Sequence, residues 1–77
     1  MKTIDFDQPV RNLAHLYPEF VDQVVELGFT KITVPGMLDS VGRLVTLNKG
    51  CRIMGIPKDK VVAYFKDAGY EVINDDK

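Results

Sequence analysis

The 77 residues hold one cysteine, one histidine and no tryptophan. A lone Cys51 excludes an internal disulfide, and one thiol plus one imidazole is too small a soft-ligand set for structural zinc. No apolar run approaches the roughly 20 residues that span a bilayer. The opening MKTIDFDQ lacks the pattern of a secretory leader. Neither sign of charge dominates, with 10 Lys and Arg against 11 Asp and Glu. These shortages lead us to expect a cytoplasmic protein with no metal or other cofactor and no membrane partner. One core of this size supplies about 3–5 kcal/mol, so well-packed helices or self-association must stabilise it.

What is present fits a single globular domain over residues 1–77, with 45% apolar residues. Charge is unevenly placed: residues 1–27 carry a net −3, residues 28–60 a net +4, and the remainder −2. The basic middle is not a nucleic-acid face, because Phe29, Tyr64 and Phe65 read as core or cap residues and do not interleave with its charges.

Proline and glycine divide the chain. In DQPVRNLAHLY, Asp7 is placed to cap a helix, Pro9 fits its first turn, and Val10, Leu13, Ala14 and Tyr17 form one stripe. In PEFVDQVVELGF, Pro18 starts a second helix with Phe20, Val21, Val24, Val25 and Leu27 inside. Gly28 is then the left-handed cap, with Phe29 folding back. IPKDKVVAYFKDAGYEVI repeats this punctuation with Pro57, Gly69 and Tyr70. Between them, Met37, Leu38, Val41, Leu44 and Val45 fall at helical spacing, and Thr46 caps a further helix containing Leu47, Cys51, Ile53 and Met54. Gly42 and Gly50 inside these segments each cost about 1 kcal/mol relative to alanine, a cost tolerated where a backbone or ligand approaches closely. The ends, KTIDF and YEVIN, alternate and can pair as a two-stranded ribbon. The expected fold is all-α, four to five short helices with that ribbon.

The chemistry-bearing residues are sparse. Nucleophilic catalysis by Cys51 needs His15 within hydrogen-bond reach and an orienting third group, whereas Cys51 sits at an apolar helical position beside Ile53 and Met54. His15 has no second donor at metal-ligand spacing, and the carboxylates read as solvated or capping groups. Two local features remain. If Thr46 caps a helix, the amides behind it, flanked by Arg43 and Lys49, form a recipe for holding a phosphate or carboxylate. In TKITVPGM, Ile32, Val34 and Met37 offer an apolar patch for a partner or a second copy.

Several capping and apolar positions together resemble the domain of unknown function 1858 family: Pro9-Val10, Leu13, Tyr17-Pro18-Glu19, Leu27-Gly28-Phe29, Pro35, Gly55-Ile56 and Gly69. The resemblance covers nearly the whole chain and implies a compact helical fold. One branch of that family carries Cys-x-x-Cys in the central loop and is described as a redox-disulfide domain associated with hybrid cluster proteins. The other reads P-x-M-L-x-x-V-G-R-x-x-T-L and often precedes hemerythrin-like and sensory domains. Pro35, Met37, Leu38, Val41, Gly42, Arg43, Thr46 and Leu47 match the second, and the thiol positions of the first fall at Lys31 and Val34. Disulfide exchange needs a thiolate and a resolving sulfur, so the redox role does not carry over.

The sequence therefore predicts a non-enzymatic interaction or regulatory module that docks through residues 32–49. Self-association, or a hemerythrin-like or sensory partner implied by the resemblance, is expected. A small-ligand domain for an anion or heme-like group is the alternative reading, and a thiol-based redox protein the third.

Overall fold

Proline and glycine set most of the helix boundaries in the computed structural model, which describes residues 2–76. The chain runs β1 (Thr3–Asp5), α1 (Val10–Leu16), α2 (Phe20–Glu26), a 3-10 turn (Thr30–Thr33), α3 (Met37–Ser40), a second 3-10 turn (Val41–Arg43), α4 (Leu47–Met54), α5 (Lys58–Asp67) and β2 (Glu71–Ile73). Its Cα radius of gyration is 11.1 Å, against about 11.5 Å for a packed chain of this length. The helices therefore pack as one body.

Three helices end by the same device. Gly28 (φ 114°), Gly55 (φ 68°) and Gly69 (φ 92°) turn the chain left-handed. The next residue then donates its amide back to the helix: Phe29 to Val24 O at 2.9 Å, Ile56 to Cys51 O at 3.0 Å, and Tyr70 to Phe65 O at 2.9 Å. This satisfies carbonyls that would otherwise lack partners, and it folds an apolar side chain onto the core each time. The shared capping chemistry of LGF and AGY is thus visible in the geometry.

Two local expectations are corrected. Asp7 does not cap α1; its own amide donates to Asp5 Oδ1 at 2.9 Å, and Pro9 occupies the cap position with no side-chain bond. The reason is tertiary: the first helical amide, Val10 N–H, donates to Val45 O at 2.9 Å through an isolated antiparallel bridge between Pro9 and Thr46. The run from Met37 to Val45 is also not one helix. It makes a single α-turn and then tightens to 3-10, leaving Leu44 72% exposed. Gly42 explains the tightening. A methyl group there would stand 3.2 Å from Leu38 Cδ1 and 3.4 Å from Val10 Cγ2, so the segment is pressed against α1.

The core is aromatic at its centre. Phe20 of α2 stacks on Phe65 of α5 with centroids 5.8 Å apart, and Tyr70 meets Phe65 edge-on at 5.4 Å. Such pairs add about 0.5–1.5 kcal/mol beyond the area they bury. Ile4 and Phe6, from the N-terminal segment, are wholly buried among them.

The termini pair in parallel, Thr3 opposite Glu71 and Asp5 opposite Ile73. Two strands alone are marginal, and side chains tie this pair to the helices. Buried Asn48, at the start of α4, donates from Nδ2 to Asn74 O at 2.8 Å, and Asn74 Nδ2 donates to Asp5 Oδ1 at 2.9 Å.

Candidate functional site

An apolar depression lies beside the central loop, where both 3-10 turns, α3 and α4 meet α1 and α2. It is a half-open apolar cavity of about 150 Å³. Its buried floor includes Val24, Gly42, Leu47 and Gly50; Phe29, Ile32, Met37 and Met54 are half-buried walls; and Val41 and Ile53 are the apolar rim, 45% and 70% exposed. The cation in the lining is Lys31.

Local sequence makes this hollow. Gly42 and Gly50 both reach the floor, and neither has a φ that demands glycine. Their role is clearance: a methyl on Gly50 would stand 3.1 Å from Phe29 Cε1 and 3.7 Å from Val45 Cγ1. The helix cost of two glycines (about 1 kcal/mol each) is thus offset by close approach of Phe29 and Val10. On α4, Gly50, Ile53 and Met54 share the face turned to the cavity, because positions three and four apart stack on a helix.

The residues singled out from sequence separate into groups. Ile32 and Met37 line the cavity; Val34 is 49% exposed and outside the lining. Arg43 and Lys49 are exposed, each next in sequence to a floor glycine. Thr46 is buried and caps α4, its Oγ1 accepting the Lys49 amide at 3.2 Å. The Asn48 amide donates to Phe6 O at 3.2 Å. The amides of Asn48 and Lys49, two of those behind Thr46 invoked for an anion, are therefore already engaged inside the fold. Sequence reasoning missed Val24, Phe29 and Ile53 as members of one site. The signal in the sequence is the glycine pair, which implies close approach of a backbone or ligand without naming the partners.

Cys51 and His15 lie in different surroundings. Cys51 is in the core at 5% exposure, and burial pushes its thiol up, against a smaller opposing pull from Lys58. A nucleophilic cysteine needs the reverse shift. His15 is exposed and borders a different, wider depression of mixed polar and apolar lining, with Asp5, Gln8 and Arg11. Among the described residues no three metal-ligating side chains cluster, and no helix is long and apolar enough to cross a membrane.

Fold and cavity together define a small helical domain with an apolar hollow beside its central loop. The chain belongs to the family named domain of unknown function 1858 (DUF1858), whose profile matches residues 4–62. Among solved structures it is similar to a conserved domain protein from Streptococcus pneumoniae TIGR4. The two share 40% sequence identity with a TM-score of 0.89, over 95% of this chain and 92% of that one. No curated protein matches the chain.

Proposed function

We propose that this domain is a non-enzymatic interaction module of the cytoplasm that docks a protein partner through residues 32–49, at the apolar cavity that this segment helps to line. The observation that carries the reading is the hollow itself: it is apolar, half-open, and fringed by exposed Val41 and Ile53. Leu44 and Val34, from the same stretch of chain, are also exposed apolar side chains. An apolar depression with an exposed apolar rim is a recognised kind of contact site. The displaced chemistry of Cys51 and His15 supports docking over catalysis. The family resemblance adds a hemerythrin-like or sensory protein as the kind of partner in which such a domain operates.

The test is site-specific photo-crosslinking in the native cell, with a benzophenone side chain at Leu44 or Ile53 and, as control, at exposed Ala63 on α5. Adducts of one discrete mass from the first two positions and none from the third are expected. Absent adducts, or the same adducts from all three positions, overturn the reading.

A further inference from the structure

Resting on that docking reading, we propose that the cavity takes a single aromatic or long aliphatic side chain, presented by an acidic amphipathic segment of the partner. Size argues for one side chain. At about 150 Å³ the hollow matches apolar cavities of roughly that volume that admit a benzene ring. It holds a phenyl ring or a leucine-sized group, and a whole helix must remain outside on the rim. Shape is fixed from below by Gly42 and Gly50, since a side chain at either position would intrude on packing already at van der Waals contact.

Charge argues for the flanks. Lys31 belongs to the lining. On α4, exposed Lys49 stands four residues before Ile53 and therefore on the same helical face, one turn along the rim. Arg43 and Arg52, both exposed, adjoin Gly42 and Ile53 in the chain. Residues 28–58 contain one acidic side chain, Asp39, and its carboxylate lies 3.6 Å from Arg11 Nε. A segment bearing carboxylates around its anchor meets an attractive potential here, and a basic segment meets repulsion. Exposed pairs contribute little affinity each. The anchor therefore supplies most of the binding, and the charges choose among partners.

Short helical peptides with blocked ends test this, read by the amide resonances of the intact protein. The first carries one Phe among Glu residues, the second replaces Phe by Ala, and the third keeps Phe but replaces Glu by Lys. The Glu-flanked Phe peptide is expected to shift Ile32, Gly42 and Gly50, the Ala peptide to bind about tenfold or more weakly, and the Lys peptide to bind more weakly than the Glu peptide by a smaller factor. Lys31→Glu, at an exposed position that leaves the core untouched, should weaken the Glu peptide and strengthen the Lys peptide. Equal binding of the two charge types, or no shifts at millimolar peptide, overturns the assignment. If crosslinks at Leu44 and Ile53 persist in that case, docking stands and the anchor chemistry alone fails. A concentration-dependent dimer abolished by Ile53→Glu also overturns it, because the occupant is then a second copy of this chain.

Discussion

The Tyr70 hydroxyl donates to Glu19 Oε1 at 2.6 Å, and the Lys2 ammonium donates to the same oxygen. Lys2 also sits 5.4 Å over the Tyr70 ring. Three distant parts of the chain meet there: the segment leading into β1, the start of α2, and the residue that closes α5.

Lys2 first, and then the Tyr70 hydroxyl, hold the Glu19 carboxyl at about 2 against an ordinary 4.5. A carboxyl depressed on folding contributes stability above its unfolded value and loses it as pH falls toward the folded one. The contribution of Glu19 is therefore intact above about 4.5 and vanishes between there and about 2. The gap in urea midpoint between the natural protein and Glu19→Gln should be constant near neutral pH and shrink through that acidic window. A gap unchanged down to the lower end contradicts the assignment.

The glycine terminators differ in cost. A methyl on Gly69 meets nothing within 4 Å, so Gly69→Ala isolates backbone strain, expected at about 1–2 kcal/mol. Gly28→Ala adds a 3.2 Å contact with Ile56 Cδ1 to a φ of 114° and should cost more. Chemical denaturation of the two variants orders them; the reverse order refutes the contact argument.

Asn48 joins α4 to the chain beyond β2. Asn48→Ala leaves the Asn74 carbonyl without its donor, a loss of about 1–3 kcal/mol. Asn48→Asp should be worse near neutrality, because it buries a charge facing that carbonyl. The aspartate's folded value is then raised, so the variant recovers as pH falls, when the protonated acid again donates to Asn74 O. Thermal melts at neutral and acidic pH read this directly.

Cys51 should resist modification. With its thiol buried and its ionisation pushed up, a disulfide reagent at neutral pH is expected to react far more slowly than with free cysteine, and rapidly once denaturant is added. Fast reaction of the folded protein would return thiol chemistry to consideration.

Local chemistry accounts for what the sequence revealed. Gly28 and Gly69 declared helix ends because the left-handed turn has few alternatives, and Thr46 declared a start because its hydroxyl bonds the Lys49 amide within one turn. The apolar nature of Cys51 followed from its helical neighbours. Non-local effects stayed hidden. Asp7 has the composition of a cap, yet Val45 O satisfies Val10 from elsewhere in the chain. Spacing alone made residues 37–45 a helix, but the press of α1 on Gly42 tightened it. The cavity escaped for the same reason: Val24, Phe29 and Ile53 come together only after the chain between α2 and α4 is placed.

The parallel clasp has a kinetic side. Its partners, Thr3 with Glu71 through Asp5 with Ile73, come from opposite ends of the chain. Bringing such remote partners together is entropically costly until intervening contacts have shortened the search. The helical body is therefore expected to assemble before its ends zip, so that Ile4 and Phe6, wholly buried in the folded chain, enter the interior with them. Closure of the ends then acts as the final lock, burying Ile4 and Phe6 and shielding the hydrophobic centre from solvent.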